Sequence, residues 1–423
     1  MTRTDLIACP ECDLLQRALP VPANGALRCC RCDAELARNR PDGLERALAL
    51  ALAALALLII SNLYPIVGLS VSGTLVQTTL AGAVRVLFHG GMWPLAGLVL
   101  ITTIVMPTLQ TACMLWILLP LRLGRKPWHA AYVLRLCHQA EAWGMTEVLI
   151  LGLLVALVKL ARIAAVVPGV ALWSFGALML VLVAAHSAFD PHSLWARFSP
   201  VRAASGDIRP LDRRTGHGAI TAAQGGLMLC NDCGLLARAP DLDRALVCPR
   251  CHATMHSRKP ASLTRTWALL IAAIVLYIPA NVLPVMFTSS LFGAQDDTIL
   301  SGVVYLWISG SWSLAIVVFV ASIAVPMLKI LALGYLVLST QFHSASTPKR
   351  RTRIYRAVEF VGRWSMLDIY VITVLVALVQ FKALATIQAG PAAIAFGAVV
   401  VLTMFAAMTF DPRLIWDEAE RQS

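Results

Sequence analysis

Long apolar runs alternate with short polar segments along the chain. Eight of these runs approach or exceed the length of about 20 residues that spans a bilayer as a helix. Their approximate bounds are 44–60, 93–121, 146–166, 170–188, 266–287, 312–338, 366–385 and 391–409. This pattern predicts a polytopic α-helical membrane protein with eight transmembrane helices. Residues 70–91, between the first two runs, are rich in Thr, Gly and Val, which predicts short strands or an amphipathic hairpin at the far side of the membrane.

The apolar pattern of the first half recurs in the second half. At an offset of 219 or 221 residues, both halves keep the same asparagine, aromatic, proline and acidic positions. The aligned pairs are Asn62 with Asn281, Pro65 with Pro284, Trp93 with Trp312, Pro107 with Pro326, Trp143 with Trp364, and Glu147 with Asp368. The chain is therefore predicted to be a tandem duplication of one unit, a four-cysteine ribbon followed by four helices. An even number of helices per unit places both ribbons on the same side of the membrane.

Eight cysteines form two sets with the spacing of metal ligands. The sets are Cys9, Cys12, Cys29 and Cys32, and Cys230, Cys233, Cys248 and Cys251. Two tight Cys-x-x-Cys turns can supply four thiolates to one tetrahedral ion, so we predict two structural zinc ions, one in each ribbon. Iron in a rubredoxin-like site is a less favoured interpretation. A dithiol redox pair is a further alternative, but the sequence lacks the helix-start context in which such pairs occur.

These features divide the chain into six parts. The predicted parts are zinc ribbon 1 (1–40), transmembrane unit 1 (41–191), a polar linker (192–225), zinc ribbon 2 (226–260), transmembrane unit 2 (261–412) and a C-terminal tail (413–423). Each unit closes with Phe-Asp-Pro, at 189–191 and 410–412, which is expected to terminate its last helix.

Charge changes this picture mainly through topology. The 423 residues are 58% hydrophobic and 14% charged, with a net charge of +12. Basic residues concentrate in the loops after the second and sixth helices, so the positive-inside rule places both termini and both ribbons in the cytoplasm. This topology explains the charge without a nucleic-acid partner, and a reducing cytoplasm favours metal thiolates over disulfides. The polar start of the chain predicts no cleavable signal peptide.

Lys329 lies in the middle of the apolar run 312–338. A charge at that depth costs a few kcal/mol or more and normally faces a bundle interior or a watery cavity. Ser322 lies seven residues earlier on the same helix face, Asp368 begins the next run, and Thr403 lies in the last helix. We predict that Ser322, Lys329, Asp368 and Thr403 form a polar cluster for transport. A structural ion pair between Lys329 and Asp368 is the alternative, although an apolar pair would pack at least as stably.

The corresponding positions of unit 1 are occupied by Thr103, Gln110, Glu147 and Leu182. Because only unit 2 has a lysine in this set, function is expected to concentrate there. The sequence contains no phosphate-binding glycine loop, nucleophile elbow or His-Glu-x-x-His pattern, so the chain is not expected to be an enzyme.

The paired ribbons, the Asn-x-x-Pro ends of helices one and five, the Trp-Ser-Met-Leu-Asp sequence at 364–368 and the Phe-Asp-Pro endings together resemble the paraquat-inducible protein A family. The resemblance covers essentially the whole chain. It implies an inner-membrane protein of Gram-negative bacteria that works with a periplasmic partner containing mammalian-cell-entry (MCE) domains, which form a tunnel for lipids. It also implies a functional polar cluster in unit 2, at the positions of Ser322, Lys329, Asp368 and Thr403.

We therefore expect a non-enzymatic subunit that passes phospholipid between the inner membrane and an MCE tunnel and supports outer-membrane integrity. Protons are the hypothesised energy source, with Asp368 and Lys329 as titrating groups. One alternative is a redox-active or oxidant-sensing membrane metalloprotein. Others are a membrane scaffold that anchors the tunnel, or a transporter of small solutes or metal ions, which would need ligands that converge within the membrane.

Overall fold

A computed structural model gives the fold of the 423-residue chain. It describes residues 6–19, 21–22, 25–39, 43–71, 74–160, 165–189, 194–195, 198, 221–242, 244–290, 293–310, 312–342, 347–378, 380–381 and 385–421. The predicted linker at 192–225 lies largely outside the described residues, and so does the first Asp-Pro pair, Asp190-Pro191.

The helices follow the predicted repeat. In unit 1 they are α1 (Gly43–Leu63), α2 (Leu80–His89), α3 (Trp93–Leu100), α4 (Met106–Arg122), α5 (Ala130–Trp143), α6 (Thr146–Leu160) and α7 (Val170–Ala188). In unit 2 they are α8 (Ser262–Val282), α9 (Ile299–Ile308), α10 (Trp312–Phe319), α11 (Val325–Gln341), α12 (Pro348–Gly362), α13 (Leu367–Leu378) and α14 (Pro391–Thr409), followed by α15 (Leu414–Arg421).

Seven helical segments of the described chain are long and apolar enough to cross a membrane. They are Gly43–Leu63, Trp93–Arg122, Ala130–Val158, Val170–Ala188, Ser262–Val282, Ala315–Gln341 and Pro391–Thr409. The chain is thus a multi-pass α-helical membrane protein, as predicted. The remaining apolar run, predicted as a helix at 366–385, forms the 12-residue helix α13, which a 3-10 turn at Arg363–Met366 joins to α12.

Two predicted helices end earlier in the structure than the apolar pattern indicated. Helix α6 ends at Leu160 and α13 ends at Leu378, and the chain then forms strands β7 (Ala165–Pro168) and β15 (Ala385–Ala389). The prediction of continuous helices to residues 166 and 385 was wrong. Valines at 166 and 167 favour extended backbone, and Pro168 cannot donate the hydrogen bond that a helix needs.

Two antiparallel sheets lie where the first helix of each unit ends, which we call the sheet end. The sheet of unit 1 has the order β6-β5-β7, with β5 (Val67–Val71) and β6 (Thr74–Thr78). The sheet of unit 2 has the order β13-β12-β15-β14, with β12 (Met286–Ser290), β13 (Gly293–Asp297) and β14 (Gln380–Phe381). The hairpin predicted within 70–91 is confirmed in its first part, and the rest of that segment is helix α2.

The starts of α2 and α9 explain why helix replaces strand there. Thr79 and Thr298 cap the two helices, each accepting a hydrogen bond from a backbone N–H three residues later, at 3.0 Å from Gly82 and 3.1 Å from Ser301. The side chain of Ser301 also accepts from the N–H of Thr298 at 2.9 Å, which completes a capping box.

The two units share one core. Gly152 of α6 lies so close to α13 that a Cβ at this position would be 3.0 Å from the Cβ of Tyr370 and 3.1 Å from the carbonyl oxygen of Leu367. The buried Tyr370 hydroxyl donates a hydrogen bond to the Thr102 hydroxyl of unit 1 at 2.9 Å. A side chain at the crossing would press on α13, so the absence of one at Gly152 permits the close approach of the units.

Each ribbon consists of two short hairpins. Ribbon 1 contains β1 (Leu6–Ala8) with β2 (Leu15–Arg17), and β3 (Ala26–Arg28) with β4 (Glu35–Arg38). Ribbon 2 contains β8 (Leu227–Leu229) with β9 (Leu236–Arg238), and β10 (Leu246–Val247) with β11 (Thr254–Met255). Both ribbons lie at the end of the helices opposite the sheets, which we call the ribbon end.

The ribbons are crossed with respect to the chain order. The cysteines of ribbon 1 pack with Leu333, Phe410 and other buried side chains of unit 2, while those of ribbon 2 pack with Ile117 and Leu134 of unit 1. Each ribbon therefore rests on the unit that does not directly follow it in sequence.

Equivalent ion pairs fix the two crossed contacts. Arg356 of α12 donates from Nε to both carboxylate oxygens of Glu11, at 2.8 and 3.0 Å. Arg135 of α5 lies 3.0 Å from the carboxylate of Asp232. The two arginines are 221 residues apart, and so are the two acids, each of which directly precedes the second cysteine of its ribbon.

The second Asp-Pro ending does more than stop a helix. Asp411 is almost fully buried and accepts hydrogen bonds from the Arg413 side chain, at 3.0 Å to each carboxylate oxygen, and from the backbone N–H of Lys259 at 2.9 Å. Burial favours the neutral acid, but the Arg413 charge and these hydrogen bonds hold the pKa of Asp411 below its ordinary value. The aspartate thus joins the end of α14 to the segment that leads from ribbon 2 into α8.

We expect Asp411→Asn to lower the free energy of unfolding by about 3–5 kcal/mol, because it leaves the buried Arg413 guanidinium without its counter-charge. Since the folded-state pKa is depressed, the contribution of Asp411 is present above about pH 4 and is lost as the pH falls through that folded-state value. The free energy of unfolding, measured in detergent at several pH values, should fall more steeply with acid for the natural chain than for the variant. Glu45→Gln, at an exposed carboxylate 3.7 Å from Arg122, is the matched control and should change stability by less than about 1 kcal/mol.

Candidate functional site

Four thiols of ribbon 1 converge on one point. The Sγ atoms of Cys9 and Cys32 are 3.4 Å apart, and those of Cys12 and Cys29 are 3.5 Å apart. All four lie within 4.8 Å of one another and are buried. Tetrahedral zinc with Zn–S bonds of about 2.3 Å needs sulfur separations of about 3.8 Å, so the four thiolates fit such an ion.

Ribbon 2 repeats this geometry. Cys230 and Cys251 have Sγ atoms 3.4 Å apart, and Cys233 and Cys248 have Sγ atoms 3.5 Å apart. These four cysteines also lie within 4.8 Å of one another and are buried. The predicted pairing of eight cysteines into two four-thiol sites is confirmed.

Backbone conformation explains why each Cys-x-x-Cys turn can present both sulfurs. The residue after the second cysteine has positive φ in all four turns, namely Asp13 (58°), Asp33 (64°), Gly234 (69°) and His252 (57°). In each turn, the N–H of that residue donates to the carbonyl oxygen of the first cysteine at 2.9 Å. The left-handed residue closes the turn, which brings the two thiols of the pair to the same side.

The second candidate site surrounds Lys329 in unit 2. Ser322, Lys329 and Thr403 are all buried, with 0%, 3% and 1% of their surfaces exposed. The hydroxyls of Ser322 and Thr403 donate to carbonyl oxygens of their own helices, at 2.6 Å to Val318 and 3.0 Å to Val400. The structure therefore places three of the four predicted residues in the interior of unit 2.

Asp368, the fourth predicted residue, is the second residue of α13. Its side chain lies outside the described part of the structure. The grouping of Asp368 with the three other residues, and its ion pair with Lys329, thus stay predictions.

Ser322 lies at the centre of a π-helical segment, Val320–Ala324, directly before α11. Unit 1 has the same feature at Ile101–Val105, directly before α4, with Thr103 at its centre. Each segment precedes a proline, Pro326 or Pro107, by two residues or fewer, and a widened turn accommodates a residue that has no N–H to donate. Segments of this kind occur frequently at functional sites.

The Lys329 ammonium has no hydrogen-bond partner among the described residues. It lies against Gly362, the last residue of α12, where a Cβ atom would be 2.9 Å from Nζ. A side chain at 362 would therefore displace the end of the Lys329 side chain.

The comparisons with known proteins follow this two-unit division. The sequence profile described as "Paraquat-inducible protein A" matches residues 44–199 and 263–420. The chain belongs to the paraquat-inducible protein A family. The match to each unit in turn supports the predicted duplication, and the membership confirms the predicted resemblance.

Relatives of this family member are named as transport proteins. The chain is 37% identical to the intermembrane transport protein PqiA of Escherichia coli strain K12, over 97% of this chain and 95% of the relative. It is 31% identical to the lipophilic envelope-spanning tunnel protein A of the same strain, over 99% of this chain and 93% of the relative. A probable intermembrane transport protein of Haemophilus influenzae is 29% identical, over 99% and 97%. These names describe transporters, not enzymes. No solved structure matches the chain.

Sequence reasoning missed two buried residues of unit 2, Gly362 and Ser365. The backbone of Gly362 lies against the lysine because the residue has no side chain. The buried Ser365 hydroxyl has no hydrogen-bond partner among the described residues. The sequence aligns Ser365 with Gly144 at the offset of 221. The structure adds that a Cβ at Gly144 would be 3.1 Å from Oε1 of Gln110. Gln110 is the unit 1 residue that aligns with Lys329.

Unit 1 of this family member keeps the framework of the set but has no lysine in it. Thr103 donates to the Val99 carbonyl oxygen at 2.6 Å, as Ser322 does in unit 2, and Gln110 and Leu182 are buried at the positions of Lys329 and Thr403. Gln110 and Leu182 do not titrate, and Glu147 occupies the position of Asp368, so the two units differ in the lysine and the threonine of this set.

We expect elemental analysis of the purified protein to find two zinc ions per chain, since two buried four-thiolate sites are present. Cys32→Ser should remove one ion and lower the temperature of unfolding, because metal binding contributes to folding. Cys30→Ser is the matched control, since Cys30 is the exposed neighbour of these ligands and should leave metal content unchanged. Iron with a visible charge-transfer absorption would contradict the assignment of zinc.

Proposed function

We propose that this chain is the inner-membrane subunit of an intermembrane phospholipid transport system, and that it passes lipid between the membrane and a periplasmic MCE-domain tunnel. The names of the relatives, intermembrane transport protein and lipophilic envelope-spanning tunnel protein A, support transport of a lipid-like cargo between membranes. The observation that carries the proposal is the buried Lys329 ammonium, which has no partner among the described residues.

A buried ammonium without a counter-charge is costly, and a binding step can offset that cost. Removing the charge from water costs several kcal/mol, and a structural role would normally supply a partner. An anionic phosphate of a lipid head group would provide that partner by a charge-assisted hydrogen bond. Ser365 is a second donor in this proposal, because its buried Oγ also lacks a partner in the described part of the chain. Its equivalent in unit 1, Gly144, lies against Gln110, the equivalent of Lys329.

Proton coupling is part of this proposal, because the sequence has no nucleotide-binding motif that could supply energy. Lys329 and Asp368 are the titrating groups in it. The protonation state of Lys329 would then affect its affinity for the anionic head group. Ser322 and Thr403 line the cluster and complete the predicted set Ser322, Lys329, Asp368 and Thr403.

The direction of the chain in the membrane follows from charge. The ribbon end carries Arg122, Arg125 and Lys126 after α4, and a basic start of α12 from Lys349 to Arg356. The positive-inside rule therefore assigns the ribbons and both termini to the cytoplasm and the two sheets to the periplasm, where an MCE partner would lie. The ribbons hold structural zinc in this proposal.

A redox-active or oxidant-sensing metalloprotein remains the competing function. It requires iron or exchangeable thiols, whereas zinc does not change its oxidation state. The metal analysis described above separates these functions.

We expect a photo-crosslinking residue at position 322 or 403 to label phospholipid in cells, although both positions are buried. Leu328 and Leu331, on the same helix as Lys329 but 63% and 61% exposed, are the control positions. Labelling at the buried positions of a folded protein supports lipid binding in unit 2. Labelling that only follows bilayer exposure would exclude a lipid site at this cluster.

We expect Lys329→Ala to lower lipid transfer in reconstituted vesicles by at least about tenfold, which corresponds to the loss of about 1.4 kcal/mol in the rate-limiting step. Leu331→Ala, on the exposed face of the same helix, should keep its activity. A scaffold that only anchors a tunnel would tolerate both changes equally.

Asp368→Asn should abolish any dependence of this transfer on an imposed proton gradient, because the amide cannot titrate. Transfer that ignores both the gradient and this substitution would exclude proton coupling while leaving lipid binding open to its own test.

A further inference from the structure

We propose that ribbon 1 controls the position of Lys329 through α12, with Gly362 as the residue that positions the lysine. The inference rests on the proposed function only for what Lys329 binds. The coupling itself concerns contacts at three points along a single helix.

The first contact joins α12 to the metal site. Arg356 donates from Nη2 to the carbonyl oxygen of Cys32 at 2.8 Å and binds the Glu11 carboxylate through Nε. Cys32 is one of the four thiol ligands, and Glu11 directly precedes Cys12, another ligand. The positions of Glu11 and of the Cys32 carbonyl depend on the metal ligands beside them, so the contacts of Arg356 depend on an intact metal site.

A second path strengthens the same contact. The indole N–H of Trp416, on α15, donates to the Thr352 hydroxyl of α12 at 3.0 Å. The Arg31 guanidinium of ribbon 1 lies over the Trp416 ring at 4.5 Å from its centroid. Ribbon 1 therefore holds α12 directly at Arg356 and indirectly at Thr352.

The third contact is at the far end of the helix. Gly362 follows Arg356 by six residues, which corresponds to about 9 Å along a helix axis. Its α-carbon lies against the Lys329 ammonium, with a hypothetical Cβ only 2.9 Å from Nζ and 3.1 Å from Cε. A short helix moves as a unit, so a displacement at Arg356 reaches the Lys329 side chain.

Unit 1 has an ion pair between its helix α5 and ribbon 2, but α5 leads to no buried lysine in the described part of the chain. Arg135 binds Asp232 of ribbon 2 at 3.0 Å, at positions equivalent to Arg356 and Glu11. The position equivalent to Gly362 is occupied by Glu141, and the lysine is replaced by Gln110. The chain thus provides its own control, an ion pair with fewer contacts at the equivalent position of the other ribbon, on a helix that reaches no buried lysine among the described residues.

The first test compares Arg356→Gln with Arg135→Gln in the full-length protein in phospholipid nanodiscs, by hydrogen–deuterium exchange and elemental analysis. For Arg356→Gln we expect about threefold or faster exchange at 356–366 and around Lys329, with zinc retained in both ribbons. Arg135→Gln should raise exchange within 130–143 and leave the Lys329 region unchanged. Faster exchange confined to ribbon 1 in Arg356→Gln, or the same change around Lys329 in both variants, would overturn the coupling.

The second test addresses Gly362 directly. Gly362→Ala should displace the lysine and lower lipid transfer at least about tenfold, with unchanged zinc content and unchanged exchange in ribbon 1. Gly334→Ala is the control, because Gly334 lies on the same helix as Lys329 and a Cβ there meets no atom within 4 Å. Equal exchange around Lys329 in these two variants would overturn the positioning role. If the exchange differs as expected but no variant of the cluster affects lipid transfer, the coupling stands and the proposed function fails.

Discussion

The crossed ion pairs at the ribbon end are the contacts on which the relation between the two units depends. Glu11 and Asp232 each bind an arginine of the unit that does not directly follow their ribbon. Strand β4 ends at Arg38 and α1 begins at Gly43, so the connection from ribbon 1 to its own unit reaches at most about 18 Å. Ribbon 1 is thereby tied to unit 1 by the chain and to unit 2 by its contacts. Separation of the units at this end must therefore stretch the connection between Arg38 and Gly43 or break the contacts of ribbon 1 with unit 2.

The same framework carries different chemistry in its two copies. The crossed arginines, the π-helical segments and the capped helices at the sheet end occur twice at matching positions. The copies diverge at Lys329, where unit 1 has a glutamine that needs no counter-charge. Duplication allows this division, because one unit can keep a stable interior while the other holds a costly buried charge. Contact between Gly152 and Tyr370 lets the first unit brace the second.

Periodicity and spacing predicted the parts of the structure that depend on local sequence. The eight metal-site cysteines, the long apolar helices and the burial of Ser322, Lys329 and Thr403 follow from patterns that a single segment carries. The strand after α6 was missed, because Val166 and Val167 continue the apolar run of the helix and the β-branching that favours extended backbone was outweighed by that run. Pairing with β5 fixes their extended form. The crossing of the ribbons and the contact of Gly362 with Lys329 depend on residues far apart in sequence, for which no local pattern exists.

The contact between Gly362 and Lys329 sets a condition on any ligand of the ammonium. A phosphate oxygen would have to lie about 2.8 Å from Nζ, and on the side of α12 that space is taken by Gly362. A head group that binds from this side must therefore separate α12 from α11. The grip of ribbon 1 on Arg356 opposes such a separation, so the ribbon stabilises the closed arrangement while the head group stabilises the open one. Linkage is reciprocal. A ligand that opens this contact therefore lowers the affinity of ribbon 1 for α12 by the same factor by which the ribbon lowers the affinity for the ligand.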